Sequence, residues 1–385
     1  MTPGARFSAA IDCLDQIFSG VSAEKSLTSW ARRSRFAGSK DRAAVRDHVF
    51  DALRSRDSYA SLGGGLSGRS VMIGLARAQE LSLNELFNGE GHSPARLSVS
   101  EQIVNAPCRQ WDMPDFCVNL LKASHPETAY EIANALKSRA PVDLRVNLRK
   151  TTVSNAQDVL EKEAILTSLI DSVEAGLRVI SNARKLRLSQ AYMDGLVELQ
   201  DAGSQSLVNA LPLRNDRKIL DYCAGGGGKT LAAAAQIEGS FFAHDVNFAR
   251  MNDIPHRAKR AGVDIHCVEM GDLAKIAPFD VVLCDAPCSG SGSWRRAPDA
   301  KWKFDKEKLS GLLNLQGEIL RTAQNFVHED GYLCYATCSL FSEENEDQVN
   351  DFLANNKKFK LVSENSWTPL DECDGFYVAV LQLKG

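Results

Sequence analysis

Residues 218–230 read KILDYCAGGGGKT. A short apolar run (Ile219, Leu220, Tyr222) stops at four consecutive glycines, Gly225, Gly226, Gly227 and Gly228, and a helix-forming segment, TLAAAAQI, follows at once. Strand, glycine turn and helix form the unit that brings a ligand against bare backbone N–H groups at a helix N-terminus. Three later stretches repeat an apolar run that ends in chemically capable residues: FFAHDVN, FDVVLCDAPCSGSG and GYLCYATCS. This pattern predicts one cofactor site and one nucleophile site at the carboxyl ends of parallel strands.

The glycine run fits neither common nucleotide fingerprint. A phosphate-binding P-loop, G-x-x-x-x-G-K-[ST], would match at Gly228, Lys229 and Thr230 but needs glycine at 223, which is Cys223. The dinucleotide pattern G-x-G-x-x-G, started at Gly225 and Gly227, needs glycine at 230, which is Thr230. The remaining common glycine turn after a first α/β strand cradles S-adenosylmethionine, which carries no pyrophosphate. A purely structural turn is the plain alternative. Asp245, about twenty residues on, is placed to accept from two ribose hydroxyls. Asp272, in EMGD, is expected to end the third strand and meet the adenine edge.

From about residue 206 the chain alternates strand and helix. RKILDYCA, GSFFAHDV, DIHCVEMG, FDVVLCDA and GYLCYATC are buried-type strands, and FKLVSE with GFYVAVLQLK suits a terminal antiparallel hairpin. This predicts an α/β fold, a doubly wound Rossmann-like domain over residues 206–385. Ser342 is read as a helix N-cap, with Glu343, Glu344 and Glu346 in the first turn. Residues 126–205 read as a small α+β module. In it Val142, Leu144, Val146 and Leu148 alternate with Asp143, Arg145, Asn147 and Arg149, as in a half-buried strand with a basic outer face. Arg178, Arg184, Lys185 and Arg187 extend that basic surface. Residues 1–125 read as all-helical, with Phe7, Ile11, Leu14 and Phe18 on one face and Val45, Val49 and Leu53 on another.

The 385 residues carry a net charge of −4, which does not advertise nucleic-acid binding, but charge is unevenly spread. Between residues 25 and 56 nine Lys/Arg face three acids, a run suited either to a solvated helix face or to phosphate contacts. No stretch reaches the roughly 18 apolar residues of a membrane span, and a cytoplasmic location is expected. The ten cysteines are then expected to be reduced. Cys13, Cys108, Cys117, Cys223, Cys267 and Cys373 read as structural, and Cys284 and Cys334 as packing residues inside strands. A four-cysteine zinc site built from 284, 288, 334 and 338 is disfavoured, because each pair lies along extended chain and not on a turn. No metal is expected.

Cys288 follows Asp285 and Pro287 at the end of one strand, and Cys338 lies between Thr337 and Ser339 at the end of the next. Adjacent parallel strands would put both thiols on one rim, where Lys229 can depress a thiol pKa. A thiolate beside a methyl donor suits methylation of cytosine. Addition at C6 makes C5 an enamine-like nucleophile, and later loss of the C5 proton expels the thiolate.

DYCAGGGGKT, DAPCSGSG, RRAPDAKW, YATCSLFSEENE and the upstream LRVN and LQDAGSQ together resemble the Nol/Nop/Sun family of RNA (cytosine-C5)-methyltransferases, and within it the RsmB/Sun-type subgroup that modifies 16S rRNA. The resemblance runs over nearly the whole chain. It implies that Cys338 is the nucleophile, that Cys288 releases the product, and that Asp285 contacts the cytosine edge near the cofactor. It implies an S-adenosylmethionine site made by Cys223, Ala224, Gly225, Gly226, Gly227, Gly228 and Lys229, with Asp245, Asp272 and Asp285. It gives the helical segment a NusB-like RNA-binding character and places Arg145, Asn147, Gln200 and Asp201 at family positions, for hydrogen bonding or RNA contact. RNA, most of all rRNA, is the implied partner, with no DNA, no membrane and a monomeric protein. The same chemistry on tRNA or another RNA, and a catalytically silent RNA-binding assembly factor, remain alternatives. The family loop usually reads C-A-A-P-G-G-K, so Gly225 and Gly226 depart from it.

Overall fold

The computed structural model describes residues 1–103 and 111–384, so Cys108 lies outside the described residues. The chain divides into two compact units, Met1–Arg139 with Trp294–Phe304, and Ala140–Ser293 with Asp305–Gly385. This division differs from the three expected segments in two ways. The helical unit runs past 125 because the helices Asp115–Ser124 and Ala129–Ala135 belong to it, and Phe116 stacks on Phe304, 6.2 Å between ring centroids. The α+β module is not a separate body, for the reason given below.

The helical unit is built on apolar faces at helical spacing. Pro3–Phe18 starts with Pro at its first turn and the Thr2 side chain accepting from the Ala5 N–H. It buries Phe7, Ala10, Cys13, Leu14 and Ile17, while Ile11 and Phe18 sit at the margin of that face. Ser39–Arg54 buries Val45, Val49 and Leu53, as the spacing predicts. The inserted segment 294–304 closes on the end of this helix. Lys301 Nζ and Trp302 Nε1 donate to the carbonyls of Arg54 and Leu53, at 2.7 and 2.8 Å, satisfying carbonyls that a helix end leaves open. The Arg56 guanidinium lies 3.5 Å from the centre of the Trp302 ring.

In the second unit, β1 (Asp143–Val146), β2 (Thr167–Leu169), β3 (Gly176–Val179) and β4 (Val197–Leu199) form an antiparallel sheet in the order β2-β3-β1-β4. All four residues of β1 and Asn147 after it are buried, so of the expected outward polar face only Arg149 reaches the surface. Its polar groups are consumed inside the protein. Asp143 pairs with Arg178 at 2.9 Å, Arg145 donates to Gln200 at 2.7 Å, and Asn147 donates to the carbonyls of Gly195 and Ala261. Arg149 donates to the carbonyls of Ala234 and Ile237, capping the helix Gly228–Gln236. Gln200 donates to the Gly228 carbonyl at 3.1 Å, and Asp201 caps the helix Ala202–Asn209. These bonds explain why the module shares a compact unit with the larger sheet.

That sheet contains β5 (Arg217–Asp221), β6 (Gly239–Ala243), β7 (His266–Cys267), β8 (Phe279–Asp285), β9 (Val327–Thr337), β10 (Phe359–Trp367) and β11 (Phe376–Leu383). Its order is β10-β11-β9-β8-β5-β6-β7. The five strands from β9 to β7 are parallel, and β11 and β10 add the antiparallel edge expected of the terminal hairpin. The direction of winding reverses at β5, between β8 and β6. Ligands bind at such a switch point, outside the carboxyl ends of the strands. Apolar clusters cover both faces. Cys334 lies in one and Cys284 in the other, so they are packing residues on opposite sides and do not belong to one metal set with 288 and 338. No helix among the described residues is long and apolar enough to cross a membrane.

Candidate active site

β8 and β9 run side by side with Asp285 opposite Ala336, so the loops that leave them meet. The sulfurs of Cys288 and Cys338 stand 3.4 Å apart, and the Cys338 N–H points at Cys288 Sγ at 3.3 Å. The hydrogen bond from Cys288 holds the Cys338 thiol below its usual range against the opposing effect of burial, and Lys229 adds to the lowering. The same bond, together with burial, pushes Cys288 well up. The contact between the two sulfurs thus drives the thiols apart, Cys338 down and Cys288 up.

Lys229 enters from the helix after the glycines. Its ammonium donates to Asp285 Oδ2 at 2.7 Å and lies 5.3 Å from the centre of the Phe376 ring. Burial alone would lower its pKa, but the Asp285 carboxylate outweighs burial and keeps the ammonium charged. Replacing Lys229 by methionine removes one influence that lowers the Cys338 pKa and leaves the raising influence of Asp285. The acid limb of the activity profile then moves to higher pH. A limb in the same place in both proteins would show that Lys229 does not tune the thiol.

A third group beneath the thiols was not singled out in the sequence. Glu344 is fully buried. It accepts from the Ser289 N–H (2.8 Å) and from Gln316 Nε2 (3.1 Å) on Oε1, and from the Ser339 hydroxyl (2.5 Å) on Oε2. One carboxylate thus ties the loop of Cys288 to the loop of Cys338. Gln316 also donates to the Pro287 carbonyl at 2.9 Å. Ser291 and Ser339 share a hydroxyl contact at 3.2 Å, and the Leu340 N–H donates to Ser291 at 2.7 Å. Ser342 does not cap a long helix as expected. It opens a short 3-10 turn, Ser342–Glu344, which turns the carboxylate of Glu344 inward, and the helix starts at Glu346.

The glycine turn follows β5 directly. Gly225 and Gly227 sit at φ +52° and +75°, a backbone region open to glycine, and a side chain on Gly227 would strike Ile254 at 2.8 Å. Asp221, also missed in the sequence, is buried under the turn. Its Oδ2 accepts from Thr230 at 2.6 Å, while Oδ1 is buried without a hydrogen-bond partner among the described residues. Burial pushes its pKa up to about 7. Cys223 is half-buried and its thiol is pushed up by burial, which leaves it no nucleophile. Asp245 lies at the end of β6 as expected, but its carboxylate already holds the turn. It accepts from the N–H groups of Gly225 and Asn247, both at 2.9 Å, and pairs with Arg250 at 3.0 Å. Val246, next to it, is 96% exposed. Asp272 departs from its expected place. β7 is only two residues long, and Asp272 falls in the first turn of the helix Met270–Ile276, exposed and paired with Lys275 at 2.8 Å.

A doubly wound sheet with a glycine turn after its first strand and paired functional loops at its switch point is a Rossmann-like methyltransferase fold. Comparison with known proteins narrows this. The chain belongs to the RsmB/F family of 16S rRNA methyltransferases. The model "16S rRNA methyltransferase RsmB/F" matches residues 208–382, and the ferredoxin-like domain model of RsmF/B-like methyltransferases matches residues 113–184. Ribosomal RNA small subunit methyltransferase B of Vibrio vulnificus is 30% identical over 390 residues, 89% of this chain and 91% of that protein. The Vibrio cholerae protein of the same name is 32% identical, over 74% of this chain and 68% of its own. The Pasteurella multocida protein is 33% identical over 64% of this chain, which spans 57% of that relative. Among solved structures, PH0851 matches with a TM-score of 0.79 and 21% identity over 99% of both chains. NSun6 from Pyrococcus horikoshii, solved with SFG, matches with 0.62 and 19% identity, over 71% of this chain and 98% of its own. These two likenesses speak for the fold.

Proposed function

We propose that the chain transfers a methyl group from S-adenosylmethionine to C5 of a cytosine in RNA, with 16S rRNA as the substrate, through a covalent bond between Cys338 and C6. The observation that carries this reading is the pair of sulfurs 3.4 Å apart beside the Lys229–Asp285 ion pair. An enzyme that needed one thiol would have no use for a second poised to share its proton.

The residues around the glycine turn fit the cofactor. Asp221, Asp245 and Asp285 make the surroundings acidic, which suits a sulfonium and an ammonium. The unpartnered Asp221 oxygen is free to accept from an amine. Space for a side chain is open at Gly228. Asp245 retains acceptor capacity for a ribose hydroxyl, and exposed Val246 offers an apolar surface for the adenine ring. Asp272, in the first turn of the helix Met270–Ile276, stays in the proposed set, for the adenine edge. When bound, the cofactor supplies an electrophilic methyl group.

The chain's own groups do the rest. The Cys338 thiolate adds to C6 and the electron pair moves onto C5. Asp285, held by Lys229, accepts from the amino edge of the cytosine and keeps the ring in line. After C5 is substituted, its proton passes to water, the C5–C6 double bond reforms and Cys338 departs as thiolate. The Cys288 thiol, which keeps its proton throughout, donates a hydrogen bond to the departing sulfur and so restores the starting pair. The basic run of the helical unit, where Arg32, Arg35 and Arg42 line a cleft of about 550 Å³, is proposed to hold RNA phosphates. One chain supplies every site group, so a monomer suffices.

Cys288→Ala is expected to accumulate a protein–RNA adduct that survives a denaturing gel, with turnover falling to near zero. Normal turnover without adduct would remove Cys288 from the release step. Bisulfite mapping of cellular RNA with and without the protein identifies the target. A signal lost from tRNA moves the substrate, and no lost signal anywhere leaves a silent assembly factor.

A further inference from the structure

Two adjacent glycines, Gly225 and Gly226, make the turn costly to order, because glycine loses more conformational freedom than any other residue. In the structure two guanidinium groups stand where side chains would be. Arg250 Nη2 lies 2.9 Å from the position a Cβ on Gly225 would take, and Arg257 Nη1 lies 3.3 Å from that on Gly226. The two arginines are held differently. Arg250 pairs with Asp245 and is more than half exposed. Arg257 projects from the helix Ile254–Ala261 and donates to the Gly226 carbonyl. Behind it stands Glu198 of β4, a buried carboxylate 3.5 Å from Arg257 and 2.6 Å from Arg260.

That helix is itself fastened to the small sheet. Asn147 donates to the Ala261 carbonyl at 2.7 Å, and Lys150 donates to the Arg260 carbonyl. Arg260 also lies 4.0 Å from the centre of the Tyr192 ring. Glu198, Arg257 and the Gly226 carbonyl therefore form a continuous brace from the α+β module to the turn. Arg257 needs a fixed fork to serve two acceptors at once, which a guanidinium supplies and an ammonium does not.

We propose that Arg257 is a positioning residue for the cofactor turn, holding through Glu198 a backbone segment that its own glycines leave loose. This rests on the cofactor reading given above. Arg257 touches the loop and not the reacting atoms, so it acts on cofactor affinity and leaves the chemical step alone. A single side chain at Gly226 should be able to replace it in part. Gly226 does not occupy the left-handed region, and its Cβ space is limited only by Arg257.

The test is calorimetric titration of the full-length chain with S-adenosylhomocysteine, with steady-state kinetics on RNA. Arg257→Ala should raise the Kd, and the KM for the methyl donor, about tenfold, as loss of a charge-assisted hydrogen bond does. The kcat and the KM for RNA should stay within about twofold. Arg257→Lys should fall between. Gly226→Ala placed in the Arg257→Ala background should recover part of the affinity, by restricting the free chain. A Kd within twofold of the parent in Arg257→Ala, or a loss spread equally over kcat and the RNA KM, overturns the proposal. A parent chain that does not bind S-adenosylhomocysteine at all fails the cofactor reading and this inference with it.

Discussion

Cys338→Ala is expected to lower methyl transfer at least about 10³-fold, the scale on which removing a covalent nucleophile acts, with cofactor binding within about twofold of the parent. The cofactor contacts proposed for the glycine turn, Asp221 and Asp245 do not include this sulfur. Cys338→Ser should be nearly as inactive, since a hydroxyl in the same place has no adjacent base to ionise it. The effect should also be epistatic. Cys288→Ala accumulates adduct by itself, but Cys288→Ala with Cys338→Ala should form none, because the bond to C6 requires Cys338. Cys334→Ala provides the control, since Cys334 lies inside the strand and packs in the core. It should cost stability only. Transfer measured with radiolabelled methyl donor, and adduct seen on denaturing gels, decide the matter. Retention of activity by Cys338→Ala would refute the covalent mechanism.

Much of the site was legible because its signals are local. Strand, glycines and helix are contiguous, and each thiol ends its own apolar run, so pairing of β8 with β9 was enough to bring Cys288 and Cys338 together. What was not legible depends on contacts far apart in the chain. Arg145 and Asn147 alternate with apolar residues as an exposed polar face would, yet their partners Gln200 and Ala261 lie 55 and 114 residues on and bury them. RRAPDAKW shows in the sequence only as a motif, and nothing in it says that Lys301 and Trp302 are spent on the end of a helix almost 250 residues earlier. Asp272 follows an apolar run like Asp245 does. The strand before it stops after two residues, and the acid falls on an exposed helical turn. Acids after a serine are the common signature of a helix start, so nothing in LFSEENE marks Glu344 as different from its neighbours.

Glu344 carries the second large expected effect. Its carboxylate receives a backbone N–H, an amide and a hydroxyl, from Ser289, Gln316 and Ser339. Glu344→Ala takes the shared acceptor from these three buried donors and leaves Gln316 and Ser339 to their contacts with Pro287 and Ser291, which costs about 3 kcal/mol. For a unit of this size that is roughly a 10 °C fall in Tm. Activity should fall further than stability explains, by about 10²-fold, because the loops of Cys288 and Cys338 lose their common anchor and a misplacement near 1 Å is worth that much. Glu344→Gln separates the two effects. It keeps shape and the acceptor for Ser289, and it removes a negative charge that raises the pKa of both cysteines. The acid limb of its activity profile should therefore move to lower pH, opposite in sign to Lys229→Met. Calorimetry, together with pH profiles of single-turnover transfer for the three variants, measures this. If Glu344→Gln and Lys229→Met shifted the limb in the same direction, the charge balance assigned to Cys338 would be wrong. If Glu344→Ala kept full activity at a temperature where it is folded, the carboxylate would hold the fold but not the geometry of the thiols.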